Sequence, residues 1–144
     1  MMKKTGLFML VTCVLLLVAC AKQDIKDDNG EARDVDHFKI TIEKDSVQPA
    51  LKENKLVKLN FKVKNTGKVD FAIGASDFYI KDEKGKKHEI NGSYPNFGND
   101  IKVGGVLEGS GYFQLPENVK NISVFYQPFK NNEAEWFIAL PKTK

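Results

Sequence analysis

From residue 38 onward, hydrophobic and polar side chains alternate along several short stretches of the chain. Residues 38–42 and 57–63 have an apolar side chain at every second position. A period of two puts these side chains on one face of a β-strand and leaves the other face in water. Shorter stretches that fit the same interpretation are 69–73, 78–80, 86–90, 112–115, 122–126 and 136–140.

Turn-forming residues separate these stretches. Asn65-Thr66-Gly67-Lys68 follows the second stretch, and Asp82-Glu83-Lys84-Gly85 is typical of a hairpin turn. About seven to eight short strands without helices predict an all-β antiparallel sandwich or barrel. The side chains expected to form its core are Phe38, Leu59, Phe61, Phe78, Phe113, Val124, Tyr126, Trp136 and Ile138.

Length and composition agree with one β domain, predicted over residues 37–144. The chain has 144 residues, of which 42% are hydrophobic and 28% charged. These fractions are typical of a globular protein and disfavour both low-complexity disorder and a multi-span membrane protein. The formal net charge of +3 does not favour a nucleic-acid-binding protein.

The first nineteen residues predict a secretory signal peptide. Lys3 and Lys4 precede an apolar run over residues 6–19, which is shorter than the ~18–20 residues of a membrane-spanning helix. The run ends in Leu-Val-Ala-Cys at residues 17–20, which closely resembles the lipobox of bacterial lipoprotein precursors. That resemblance implies a diacylglycerol on Cys20, which becomes the first mature residue. The alternative is an uncleaved N-terminal anchor in which Cys20 is incidental.

Lipidation of Cys20 would decide both the location and the thiol chemistry of the protein. The domain would be held at the outer face of the cell membrane, with the lipid as its contact to the bilayer. Cys13 would leave with the signal peptide, so the mature chain would have no free thiol. A thiol nucleophile, a redox role and a cysteine-based metal site are then excluded.

Residues 20–36 are predicted to be the lipidated cysteine followed by a flexible charged tether. The stretch is rich in acidic residues and has almost nothing to bury. Asp27, Asn29 and Glu31 alternate as in a calcium-binding loop, but Ala32 replaces the required glycine and Phe38 the closing glutamate. We therefore predict no metal site here.

The strand pattern also resembles a known family. Three features, taken in order, resemble bacterial secreted and lipoprotein domains with an Ig-like, telokin-like fold. They are an alternating strand that ends in Asn-Thr-Gly at residues 65–67, an aromatic strand before an Asp-x-x-Gly hairpin, and a glycine-rich segment that leads to Pro116. The similarity extends over residues 38–141. It implies an Ig-like sandwich at the cell surface and no catalytic residues, because that family has no shared active site.

Motifs for chemistry are missing from the sequence. The histidines are His37 and His88, and neither belongs to an HExxH pattern. No GxSxG motif and no phosphate-binding glycine loop is present. We therefore expect no catalytic residues, no cofactor and no metal, although a site assembled in space would escape this test.

Residues 91–110 form the longest stretch without alternation and are predicted to be a long loop. Tyr94 and Phe97 are its candidate partner-binding residues, because loops of a rigid sandwich often contribute recognition. The alternative is that both rings close the open end of the core. Trp136 is interpreted as a core residue. The lysines considered for weak contact with anionic headgroups or wall polymers are Lys58, Lys62, Lys64, Lys84, Lys86 and Lys87.

Two classes of function remain open at this point. The first is a non-catalytic binding or interaction module that recognises an envelope protein or a cell-wall component. The second is an accessory structural subunit of a membrane or envelope assembly. An enzyme with a spatially assembled site is a distant third.

Overall fold

The structure is a computed structural model that describes residues 26–142; the predicted signal peptide, Cys20 and residues 21–25 lie outside the described part. Within that part, no helix is long and apolar enough to cross a membrane. A single 3₁₀ turn, Ala75–Asp77, interrupts the strands. The strands are β1 (Ala32–Val35), β2 (Phe38–Ala50), β3 (Asn54–Asn65), β4 (Phe71–Gly74), β5 (Phe78–Asp82), β6 (Lys87–His88), β7 (Gly98–Ile101), β8 (Val106–Pro116), β9 (Asn121–Tyr126) and β10 (Ala134–Ala139).

Two four-stranded antiparallel sheets form an Ig-like sandwich. Their strand orders are β1-β2-β3-β8 and β10-β9-β5-β6, and β4 pairs with β7 in a short third sheet. The predicted all-β sandwich is therefore confirmed. Each of the eight stretches expected to be strands overlaps a strand of the structure, and β1 and β7 are the strands that alternation did not indicate.

The core lies between the two large sheets and consists of inward-facing side chains from both. Trp136 is completely buried, and its Nε1 donates a hydrogen bond to the carbonyl oxygen of Glu31 at 2.9 Å. Burying a large apolar side chain stabilises a fold by about 1.5–3 kcal/mol, so no disulfide is needed to hold the sheets together. Every side chain predicted for the core is buried, namely Phe38, Leu59, Phe61, Phe78, Phe113, Val124, Tyr126, Trp136 and Ile138.

The prediction of a flexible tether up to residue 36 is wrong for its second half. Strand β1 pairs with β2, and Asp28 is only 2% exposed. The Asp28 carboxylate accepts a hydrogen bond from the Phe137 N–H at 2.9 Å and lies 3.1 Å from the Arg33 guanidinium. Polar side chains and backbone groups attach this segment to the sandwich, which is why a search for apolar alternation missed it.

A buried asparagine organises the turn that follows β3. The Asn65 side-chain amide donates hydrogen bonds to the carbonyl oxygens of Val69 at 2.8 Å and Ile101 at 2.9 Å. Its side-chain oxygen accepts a hydrogen bond from the Gly67 N–H at 2.9 Å. Since an unpaired buried amide would be costly, this network gives the Asn-Thr-Gly sequence a structural role at this end of the sandwich.

Candidate partner-binding surface

Residues 91–110 do not form the single long loop that the sequence analysis predicted. Residues 91–97 and the turn of residues 102–105 are irregular, but between them β7 pairs with β4, and β8 begins at Val106. The glycines in this stretch concealed β7 and the first part of β8, because strand pairing uses backbone hydrogen bonds and needs no apolar alternation. The two candidate aromatic residues therefore lie in a short loop between sheets.

Phe97 points into the sandwich. Its ring centroid lies 4.9 Å from that of Phe61 and 6.3 Å from that of Phe78. It also covers Gly109, where an added Cβ would lie only 2.3 Å from the Phe97 Cβ. These contacts agree with the alternative in which Phe97 closes the core.

Tyr94 lies on the surface and is 40% exposed. Its ring stacks on Tyr112 of β8, with centroids 5.0 Å apart and an interplanar angle of 18°. Asn96 fixes the loop below it by donating hydrogen bonds to the carbonyl oxygens of Asn91 at 2.8 Å and of Tyr94 at 3.0 Å. The structure thus separates the two candidates, and only Tyr94 is available to a partner.

A more exposed aromatic residue, Phe129, escaped the sequence analysis. It lies in the loop of residues 127–133 between β9 and β10, and 87% of it is exposed. Hydrogen bonds close the base of this loop, from the Gln127 N–H to the Asp77 carbonyl at 2.7 Å and from the Glu133 N–H to the Tyr126 carbonyl at 2.9 Å. The feature of the sequence that could have indicated an exposed ring is the position of Phe129 directly after Pro128 and outside any alternating stretch.

Beside Phe129 lies a groove of about 300 Å³ lined by Tyr79, Lys87 and Phe129 among others. Tyr79 stacks on Phe125 of β9 with centroids 5.1 Å apart, and its hydroxyl donates a hydrogen bond to the Asn132 side chain at 2.9 Å. These bonds hold the wall of the groove rigidly on the outer face of the sheet.

Two lysines cover the aromatic rings of this face. The Lys87 ammonium lies 4.5 Å from the Tyr79 centroid, and the Lys81 ammonium lies 5.4 Å from the Phe125 centroid. Both distances are in the range of cation–π interactions. Lys87 also lies 3.4 Å from the Glu89 carboxylate. We call this set the Phe129 surface, consisting of Tyr79, Lys81, Lys87, Phe125 and Phe129.

The lysines on the outward face of β3 are less available than the sequence indicated. Lys58 lies 2.9 Å from the Asp45 carboxylate, and Lys62 lies 3.6 Å from Glu108. The hydrogen bond to Asp45 raises the pKa of Lys58 and keeps it charged, but its charge is balanced locally. An open depression of about 520 Å³ on this face is lined by side chains of both charges, namely the basic Lys62 and the acidic Glu43 and Glu108.

A hydrogen bond between the side chains of His88 and Asp82 links β6 to the end of β5. Their Nε2 and Oδ2 atoms lie 2.9 Å apart. Burial alone raises the pKa of Asp82, but the bonds from His88 and from the backbone N–H groups of Lys84 and Lys86 outweigh it and lower that pKa. Over residues 26–142, no three His, Cys, Asp or Glu side chains converge in a way that could hold a metal ion.

A family model described as "Domain of unknown function (DUF4352)" matches residues 24–135. The chain belongs to this family. The match begins before β1, which agrees with the ordered segment around Asp28. No curated protein matches the chain.

Solved structures with the same fold include three bacterial proteins. The Bacillus subtilis protein described as a "putative lipoprotein (ycdA)" has a TM-score of 0.61 at 18% identity; the match covers 75% of this chain but only 38% of that protein. The yjhA protein of Bacillus subtilis has a TM-score of 0.58 at 15% identity, covering 78% and 98% of the two chains. The secreted protein MPT63 of Mycobacterium tuberculosis has a TM-score of 0.54 at 11% identity, covering 74% and 92%. At these identities, the similarity shows a shared β-sandwich fold.

Proposed function

We propose that this DUF4352 domain is a non-catalytic binding module held on the outer face of the cell membrane by lipid on Cys20. It recognises a protein of the cell envelope through the Phe129 surface. The observation that supports this function is the 87% exposure of Phe129 beside a groove that Tyr79 and Lys87 line. Aromatic side chains often contribute 2 kcal/mol or more to a protein interface, and here the ring is held away from the core by a closed loop.

The proposed location is supported by the basic start, the short apolar run and the lipobox ending at Cys20. The names of two proteins of the same fold, a "putative lipoprotein" and a secreted protein, agree with an extracytoplasmic domain. Replacement of Cys20 tests this part. Cys20→Ala is expected to abolish lipid attachment and to release the protein or leave it as precursor. Unchanged mature mass and membrane association would contradict the proposal.

Photocrosslinking in cells tests the binding surface. A benzoylphenylalanine introduced at Phe129 is expected to crosslink to an envelope protein that mass spectrometry identifies. The matched control is the same amino acid at Lys62 of β3, whose side chain is 63% exposed and lies outside the Phe129 surface. A third arm at Tyr94 tests the surface candidate from the sequence. Equal crosslinking at Phe129 and Lys62, or none at Phe129, would contradict the proposed surface.

One substitution separates binding from folding. Phe129→Ser should abolish the complex captured with a general chemical crosslinker while leaving the melting temperature unchanged, because an exposed side chain contributes little to stability. A lowered melting temperature would show that Phe129 packs within the fold.

A further inference from the structure

The chain is fixed to the sandwich only a few residues after the proposed lipid. The Asp28 N–H donates a hydrogen bond to the Phe137 carbonyl at 2.6 Å, and the Asp28 carboxylate accepts one from the Phe137 N–H at 2.9 Å. Asp27 continues this attachment toward the end of β10, since its carboxylate lies 3.3 Å from the Lys44 ammonium and 3.4 Å from the Ala139 nitrogen. The segment therefore reaches the sandwich where β10 ends.

The length of chain before this attachment limits where the domain can lie. Eight steps along the chain separate Cys20 from Asp28, so even a fully extended backbone spans no more than roughly 29 Å. The domain is therefore held close to the bilayer, and the charge and exposed side chains of its surface decide which end faces the lipid.

The end of the sandwich that meets the tether consists of turns that contact one another. The Glu117 N–H donates to the Glu53 carbonyl at 2.9 Å, and the Glu83 carboxylate accepts hydrogen bonds from the N–H groups of Lys120 at 2.8 Å and Asn121 at 2.5 Å. The Leu140 N–H donates to the Lys120 carbonyl at 2.8 Å. We call these turns, residues 51–55, 82–86, 116–120 and 139–142 with residues 26–27, the anchor end.

Exposed lysines outnumber exposed carboxylates at the anchor end. The exposed carboxylates are Asp27, Glu53, Glu83 and Glu117. The Glu83 carboxylate is also occupied by two backbone N–H groups, and Leu51 is an 85% exposed apolar side chain beside Lys52. Lysines around an exposed leucine fit the headgroup region of an anionic bilayer. The exposed lysines are Lys26, Lys52, Lys84, Lys86, Lys120 and Lys142.

We propose that the anchor end lies against the anionic membrane surface, with its lysines and Leu51 in contact with lipid headgroups. This proposal rests on the proposed lipid at Cys20. Strand β10 begins after the Phe129 loop and ends at the anchor end, so its five steps keep the two apart by about 17 Å. Phe129 itself is then held away from the bilayer at the opposite end of β10, where an envelope protein can reach it.

Depth-dependent quenching tests this orientation in the full lipidated chain. Lys84→Cys and Lys68→Cys, at the anchor end and in the turn after β3, each introduce a single free thiol, because Cys20 is acylated and Cys13 is removed. Each variant is labelled with a fluorophore in vesicles that contain phosphatidylglycerol and nitroxide-labelled lipid. We expect at least threefold stronger quenching at position 84, and equal quenching at both positions would overturn the proposal. Mass spectrometry of the same samples detects loss of lipid, which would instead refute the proposed anchoring.

Charge substitutions test the headgroup contact separately from the length of the tether. The unlipidated Cys20→Ala mature chain is mixed at low salt with vesicles of phosphatidylglycerol or of phosphatidylcholine and sedimented. We expect binding to phosphatidylglycerol only, and at least fivefold weaker binding after Lys52→Gln, Lys84→Gln and Lys86→Gln together. The control is Lys62→Gln, Lys64→Gln and Lys68→Gln, which removes the same charge elsewhere. Equal losses for the two triple variants, or no binding of the parent chain to phosphatidylglycerol, would overturn the headgroup contact.

Discussion

Truncation of Phe97 should destabilise the domain far more than truncation of Tyr94, although the two residues are neighbours in one loop. Complete removal of a buried phenylalanine ring costs about 3–5 kcal/mol. Phe97 is only partly buried and contacts Phe61, Phe78 and Gly109, so Phe97→Ala is expected to cost about 2–3 kcal/mol. Tyr94→Ala removes a stacking contact with Tyr112 at the surface and is expected to cost less than about 1 kcal/mol.

Thermal and urea unfolding followed by circular dichroism measure this difference. For a domain of this size, about 4 °C of melting temperature corresponds to 1 kcal/mol, so the expected decreases are about 8–12 °C for Phe97→Ala and under about 4 °C for Tyr94→Ala. The urea m-value should stay constant if only stability changes. Equal decreases for the two variants would refute the assignment of Phe97 to the core.

A double-mutant cycle tests the packing of Phe97 on Gly109 directly. Gly109→Ala places a Cβ 2.3 Å from the Phe97 Cβ and is expected to cost about 1–3 kcal/mol through overpacking. Gly92→Ala is the control, because nothing lies within 4 Å of a Cβ there. In a Phe97→Gly background, which lacks the clashing atom, Gly109→Ala should cost much less. Strictly additive costs would contradict the contact.

Three further predictions concern the core, the N-terminal segment and pH. Phe61→Ala should lower the free energy of unfolding by about 3–5 kcal/mol, because the ring is buried. Lys62→Ala should lower it by less than about 0.5 kcal/mol, because that side chain is 63% exposed. Equal losses in urea unfolding would show that the assigned inward and outward faces of β3 are wrong. Asp28→Ala leaves the Phe137 N–H without its acceptor and removes one of the two carboxylates paired with Arg33, so it should cost about 1–3 kcal/mol. Asp34→Ala at an exposed position should leave the urea midpoint unchanged, and equal effects of the two substitutions would contradict the role of Asp28 in the fold. Burial raises the pKa of Asp28, but its hydrogen bonds and ion pair outweigh burial and lower the pKa from 3.8. The unfolded chain therefore takes up this proton first, and the free energy of unfolding decreases as the pH falls below about 5. Asp28→Asn should weaken this pH dependence, and an unchanged pH dependence of stability would contradict the lowered pKa.

Alternation was sufficient to predict the strands that build the core, because a half-buried strand must place apolar side chains at every second position. Residues 38–42 and 57–63 show this directly, and their predicted inward side chains are buried in the structure. The two strands that were not predicted, β1 and β7, each contribute a single buried apolar side chain, Val35 and Ile101, and otherwise depend on backbone pairing and polar contacts. Their sequences therefore resemble those of a tether and a loop.

The candidate surface was harder to predict than the fold, because exposure is a property of the assembled chain. Tyr94 and Phe97 are separated by two residues, and only packing against Phe61 and Gly109 decides that one ring is inside. In the sequence, Phe129 differs from a core phenylalanine only by its position after Pro128 and outside any alternating stretch, and the folded loop decides that its ring is exposed. Sequence motifs also do not indicate at which residue the tether ends and the ordered domain begins.

The sequence alone determined the β-sandwich, its core side chains and the features that predict a lipid at Cys20, because these depend on local periodicity and on a contiguous motif. Only the tertiary structure decided which aromatic rings are exposed, where the ordered chain begins and which end of the sandwich meets the tether. These properties depend on contacts such as Asp28 with Phe137 and Phe97 with Gly109, between residues that are far apart along the chain. Such contacts form only when the sheets pack together, and local sequence patterns do not encode them.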